Sequence, residues 1–240
     1  KKILNQIKNK NYNEAEKLAL KISKKFPLHN FSFKALGEIY MQTGRLLEAI
    51  TVFKKSVKLS NNEFESYYNL GNALYANNQY EESLASHKKA LDIKPNDAFV
   101  CNNIGNTFKK LNKKKEAIKY YKKAIDLKKD FGLAYKNLGI ILHEIGELKE
   151  AEKKYEKALK NSPQNSPEYA EANHLLSSLT GKDNINEIST YAAQLFDAGA
   201  KDFEELLLEK LDYNVPKIVS NFLLEIKKGK SLGSVLDMGC

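Results

Sequence analysis

The sequence predicts an all-α protein: a solenoid of about five stacked helix-turn-helix pairs, closed by a capping helix. Three observations predict it. A five-residue segment recurs almost unchanged as Tyr68-Asn69-Leu70-Gly71-Asn72, Asn102-Asn103-Ile104-Gly105-Asn106 and Lys136-Asn137-Leu138-Gly139-Ile140, so its glycines stand 34 residues apart twice over. A fixed period of roughly 34 residues is the mark of helix-turn-helix units that stack on one another. Small residues and aromatics recur at fixed offsets from those glycines, as Ala49, Ala117 and Ala151 and as Phe53, Tyr121 and Tyr155. The composition, 42% hydrophobic and 29% charged over 240 residues, suits a helical protein of this size.

Taken in order, Lys1 to Pro27 reads as the remainder of a first pair. Tyr12, Ala15 and Pro27 stand where later units place Tyr80, Ser83 and Pro95, and Ile3, Leu4 and Ile7 open its apolar face. The second pair runs from Asn30, with Gly37 and Tyr40 on its first helix, Gly44 at its turn, and Ala49 and Phe53 on its second. The third begins at Phe64, the fourth at Ala98 and the fifth at Gly132. Small residues let the two helices of a pair approach, and large ones fill the space between one pair and the next. Pro95 and Pro163 end second helices, because proline lacks an amide donor and clashes with the preceding turn. Thr43-Gly44 and Asn77-Asn78 supply turn residues. One pair cannot bury its apolar face alone, so stacking makes the core. Ser166 to Leu179 adds one more helix, with Tyr169, Ala172, Leu175, Leu176 and Leu179 along one face, as a cap for the stack.

Leu-Gly at the seventh and eighth positions, Ala at the twentieth, an aromatic at the twenty-fourth, Ala at the twenty-seventh and Pro at the thirty-second resemble the tetratricopeptide repeat. The resemblance covers residues 1–181. It implies a right-handed superhelix whose concave groove is lined by the first helix of each pair. Ser83 and Asn61 depart from the pattern's alanine and proline, and no tryptophan is present.

From residue 182 the character changes. A helical lead-in is expected over 182–233, with helices near Ile185 to Asp197, Asp202 to Leu211 and from Asn214 to Lys228. Asn214 can cap the last of these, and Pro216 falls in its first turn, where proline is tolerated. Ser234 to Asp237 reads as a short buried strand followed by Met238-Gly239-Cys240. Val235-Leu236-Asp237-Met238-Gly239-Cys240 resembles motif I of class I S-adenosylmethionine-dependent methyltransferases, in which a strand ends in an acidic residue and a glycine turn. The lead-in, with Leu195-Phe196-Asp197 and Phe203-Glu204, resembles that of methyltransferases fused to tetratricopeptide repeats. By that resemblance Asp237, Gly239, Phe196 and Phe203 would be cofactor contacts in a full-length parent. Residues 234–240 would then be the first strand of a truncated α/β domain. One strand cannot build a doubly wound sheet, so this chain is expected to bind no cofactor and catalyse no transfer. An exposed strand edge invites pairing, which makes self-association through the C-terminal segment a further expectation.

The binding candidates come from the repeat itself. Asn69, Asn103 and Asn137 occupy the sixth position of successive first helices, and Asn72 and Asn106 the ninth. A primary amide both donates and accepts, so a row of them can pair with the polar groups of an extended backbone. The arrangement resembles the asparagine ladder of the O-linked N-acetylglucosamine transferase family. Tyr68, Tyr75, Phe99, Lys109, Lys136 and His143 would supply the remaining groove side chains. These asparagines are not required by the helix packing.

Composition excludes several other classes. The net charge is +9, yet Arg45 is the only arginine. Arginine is the usual bidentate reader of bases and phosphates, so specific nucleic-acid binding is not expected. No run approaches the roughly 18 apolar residues of a membrane helix. Cys101 and Cys240 are the only cysteines, and His29, His87, His143 and His174 lack metal-ligand spacing. A cytoplasmic location is expected. The favoured function is a protein–protein interaction module that binds an extended peptide or protein segment in the groove. The alternative is the substrate-recruiting part of an S-adenosylmethionine-dependent methyltransferase whose catalytic domain this chain lacks.

Overall fold

The computed structural model describes residues 2–181. The expected lead-in, the strand at 234–237 and the cofactor contacts Phe196, Phe203, Asp237 and Gly239 lie outside the described residues. Among those described there are eleven α-helices and no strand. Five antiparallel pairs follow one another: α1 (Lys2–Lys8) with α2 (Tyr12–Lys25), α3 (Asn30–Gln42) with α4 (Leu46–Leu59), α5 (Phe64–Ala76) with α6 (Tyr80–Ile93), α7 (Ala98–Lys110) with α8 (Lys114–Leu127), and α9 (Gly132–Glu144) with α10 (Leu148–Lys160). A single helix, α11 (Pro167–Thr180), closes the stack. Ser166 caps it through a hydrogen bond from the Tyr169 amide, with Pro167 in its first turn and Gly181 in the left-handed region at its end.

The turn inside each pair repeats as faithfully as the helices. Lys10, Gly44, Asn78, Asn112 and Gly146 all have positive φ, between 57° and 84°. Each sits just past a helix end, and the next residue's amide reaches back to a carbonyl in the last turn. Arg45 bonds Tyr40, Gln79 bonds Leu74, Lys113 bonds Phe108 and Glu147 bonds Leu142, all at 2.8–2.9 Å. This is the Schellman arrangement, and it favours glycine or asparagine.

The repeated glycines serve packing. A Cβ on Gly37, Gly71, Gly105 or Gly139 would lie 2.3–2.6 Å from the ring at the twenty-fourth position of the same unit, which is Phe53, His87, Tyr121 or Tyr155. The bare glycine face is therefore the seat of that ring, and any side chain there overpacks the pair.

Each second helix contacts the first helix of the next unit, and α3, α5, α7, α9 and α11 also touch in succession. The second helices α4, α6, α8 and α10 do not touch one another. First helices therefore converge on an inner face, and second helices splay apart on an outer one. The apolar core falls into two clusters, one from Ile3 to Leu74 and the other from Ala90 to Ile141. They part inside the third pair, where Ser83, Ser86 and His87 are buried in place of apolar residues.

Candidate functional site

The inner face at that break carries a connected set of polar side chains. His87 is almost wholly buried and occupies the aromatic slot against Gly71. Its Nε2 lies 3.0 Å from Asn72 Oδ1, and its Nδ1 faces Ser83 Oγ at 3.4 Å. Ser83 Oγ donates to the Gly71 carbonyl at 2.8 Å. Because Asn72 Oδ1 only accepts, Nε2 carries the ring proton. Burial pushes the imidazole down to about 4, so the ring is neutral near pH 7.

Asn72 Oδ1 also accepts from Asn103 Nδ2 of the next unit at 2.9 Å. The pattern advances by one unit. Tyr121 donates its hydroxyl to Asn106 Oδ1 at 2.8 Å, and Asn137 Nδ2 donates to Asn106 Oδ1 at 3.1 Å and to Asn102 Oδ1 at 3.0 Å. A further step on, Glu171 of α11 stands at the sixth position and pairs with Lys136. Asn103, Asn137 and Glu171 are therefore each bonded to the unit before. The ladder asparagines Asn103 and Asn137 tie neighbouring repeats together, which reading them as independent of the fold did not foresee. Asn69 forms no hydrogen bond among the described residues; at the matching positions of the second unit, Lys34 pairs with Glu63 and Glu38 accepts from Gln42.

More than half of the amide groups of these asparagines remain unused. Asn72 and Asn106 offer their Nδ2 groups, Asn103 and Asn137 their Oδ1 atoms, and Asn69 both. Asn72, Tyr75, His87, Asn103 and Asn106 together line a pocket of about 330 Å³ on the inner face. Tyr75 meets Tyr80 edge-on at 5.5 Å, and burial, with Tyr80 adding to it, raises its phenol above the ordinary value.

The other predicted groove residues are placed as follows. Tyr68 stacks on Phe64 at 5.7 Å and lies 6.1 Å from the His87 ring. Phe99 is half exposed, 4.8 Å from Phe131, with Lys128 over both rings at 5.0 and 5.2 Å. Lys109 shares Glu144 with Lys114. His143 Nδ1 is 3.5 Å from the Tyr155 hydroxyl. Lys136 is buried against Glu171, so its charge is spent inside the protein. The residue that sequence reasoning missed is His87. Its signal was available: it stands 34 residues from both Phe53 and Tyr121, a polar ring in an aromatic column.

Models of the tetratricopeptide repeat match residues 37–78, 63–130 and 102–166, which together span more than half of the chain. The chain is therefore a tetratricopeptide-repeat protein. Such repeats are protein-interaction modules. Among solved structures, the chain is similar to MamA at 26% identity and a TM-score of 0.61, over 65% of this chain and 92% of that one. PilW, a widely conserved type IV pilus biogenesis factor, shares the fold at 21% identity and a TM-score of 0.68, over 81% of this chain and 89% of its own. TTC0263, a tetratricopeptide-repeat protein of Thermus thermophilus, does so at 20% identity and 0.59, over 74% of this chain and 94% of its own. No curated protein matches in sequence. Among the described residues no helix is long and apolar enough to cross a membrane, and no cluster of ligating side chains could hold a metal ion.

Proposed function

We propose that this repeat protein binds an extended segment of a partner protein along the inner face, through the free amide groups of the ladder. The observation that carries the reading is the split use of Asn72, Asn103 and Asn106. One half of the amide is spent on the neighbouring repeat, and the other half is left beside a pocket lined by Tyr75 and His87. Donors from Asn72 and Asn106 and acceptors from Asn103 and Asn137 suit a peptide backbone, which offers both. Each neutral hydrogen bond contributes about 1 kcal/mol, so several rungs are needed for useful affinity. The ladder's cations Lys34 and Lys136 are already neutralised by Glu63 and Glu171. Binding there should therefore change little with salt.

Photo-crosslinking tests this. A benzoylphenylalanine in place of Tyr75 should crosslink an extended partner segment from a native extract, and the same group in place of the outer-face Lys123 should not. Equal crosslinking from both positions refutes the reading. A second reading keeps the methyltransferase resemblance of Val235 to Cys240, with the repeats recruiting the methyl acceptor. Its test is S-adenosylmethionine binding by the natural full-length product, and absence of binding there removes it.

A further inference from the structure

The outer face carries a second feature, which the inner groove does not use. Since α8 and α10 do not touch, a wedge opens between them with α9 as its floor. It forms a cleft of about 660 Å³, within the size range of ligand-binding clefts. Ile125 and Tyr135 line its base, and Lys122, Lys154, Lys157 and Lys160 its rim.

The preceding wedge, between α6 and α8, shows why this one is open. There Tyr120 lies over Phe108 with ring centroids 5.5 Å apart, and Lys88 reaches the same ring at 5.8 Å. Burial first, then the neighbouring Cys101 and Asp92, push the Tyr120 phenol up. Tyr120 is half-buried there, packed against the apolar core. One period later Lys154 stands at the Tyr120 position and Leu142 at the Phe108 position. The two rings that fill the earlier wedge are thus replaced by a chain that turns to Glu150 and by a smaller aliphatic group.

The charge of the rim is largely unspent. Lys153 and Lys154 share Glu150. Lys122, Lys157 and Lys160 have no ion pair among the described residues. Of the two carboxylates lining the cleft, Asp126 is bonded to Lys129 at 2.8 Å, which leaves Glu156 against three free ammonium groups. A cationic rim over an apolar base complements a chain of the opposite sign with apolar side chains between its charges.

We infer that the wedge between α8 and α10 is a second docking site, and that it takes an acidic, leucine- or phenylalanine-bearing segment of a partner protein. The apolar side chain enters the space that Tyr120 fills in the unit before, and the carboxylates meet Lys122, Lys157 and Lys160. Binding at this site is salt-sensitive, in contrast to the neutral ladder on the inner face.

The test is fluorescence anisotropy on the full chain with a short labelled peptide of alternating glutamate and leucine. Lys154→Tyr refills the wedge and should weaken binding about tenfold, whereas Lys154→Gln, which removes the charge but leaves the space, should change it less than about twofold. Lys122→Glu, Lys157→Glu and Lys160→Glu together should also cost about tenfold or more. The same charge change at Lys88, Lys119 and Lys123, which belong to the filled wedge, should cost less than about twofold. Circular dichroism confirms that each variant is folded. No binding by the wild type, equal loss in both triple variants, or full binding by Lys154→Tyr overturns the inference. Tripolyphosphate binding with the same variant dependence, and no peptide binding, replaces the protein segment with a free polyanion.

Discussion

Replacing His87 by tyrosine should stabilise the protein against acid, and the size of the effect follows from the burial of the ring. His87 is neutral in the folded chain, with its proton affinity lowered from the ordinary 6.5 to about 4 by desolvation. In the unfolded chain it titrates near its ordinary value. Between those limits the unfolded state binds a proton that the native state refuses, so stability falls as pH falls. The loss begins near pH 6.5, proceeds at up to about 1.4 kcal/mol per pH unit, and totals about 3 kcal/mol by pH 4. Tyrosine fits the site by the protein's own precedent. Tyr121 sits as close to Gly105 as His87 does to Gly71, and its hydroxyl donates to Asn106 as Nε2 does to Asn72. Urea unfolding of the wild type and His87→Tyr, followed by circular dichroism from pH 7 to pH 4, measures the difference directly. The carboxylates titrate in both proteins and cancel. A wild-type loss that exceeds the variant's by less than about 0.5 kcal/mol over that range would refute the reasoning, because a ring so deeply desolvated cannot titrate freely.

Three further outcomes are expected. Lys10 is the one turn residue of the five that is neither glycine nor asparagine, so Lys10→Gly should raise stability by about 0.5–1 kcal/mol, and Gly146→Ala should lower it by about 1 kcal/mol, both read from thermal melts. Asn137→Ala strips the donor from two acceptors, Asn102 Oδ1 and Asn106 Oδ1, and should cost about 1–2 kcal/mol in urea, whereas Asn69→Ala should stay within about 0.5 kcal/mol. At the ladder's last rung, Glu171→Ala should destabilise more than Lys136→Met, by about 2 kcal/mol, because the first leaves a buried ammonium uncompensated and the second leaves an accessible carboxylate that water can reach.

The fold was legible because a packing requirement was written into the chain four times. Gly37, Gly71, Gly105 and Gly139 each face a ring 16 residues further on, and no other short residue accepts that approach. The turns were legible at Gly44 and Asn78, since few residues adopt the left-handed region at low cost. The site was less legible. Position along the repeat placed Asn72, Asn103 and Asn106 on the inner face, but it could not tell whether their amides would turn to each other or to a ligand. That depends on the spacing between neighbouring first helices, which is a property of the stack and not of the repeat. Lys136 illustrates the limit. Its position matched a groove residue, yet Glu171 of α11, a helix outside the repeat pattern, claims it.

The bonding along the ladder would also couple the proposed binding to the spacing of the first helices. Asn103 and Asn137 hold successive first helices at the separation of one amide hydrogen bond. A segment that bridges the free groups of Asn72, Asn103 and Asn106 must match that separation, so it binds the stacked form and not an unstacked one. Anything that binds only the stacked form stabilises it by mass action. The polar break at Ser83, Ser86 and His87 is where the two apolar clusters part. There hydrogen bonds of Ser83 and His87 add to the packing of the half-buried Phe64, Tyr67, Tyr68 and Leu84. That break adjoins the pocket of Asn72, Tyr75 and His87, so the segment would bind where the two clusters part. His87→Tyr extends the aromatic column through this point, as Phe53 and Tyr121 do on either side. The stabilisation that a bound segment adds depends only on its concentration and its affinity for the stacked form, so His87→Tyr, which protects the fold from acid, changes that increment only through its place in the pocket wall.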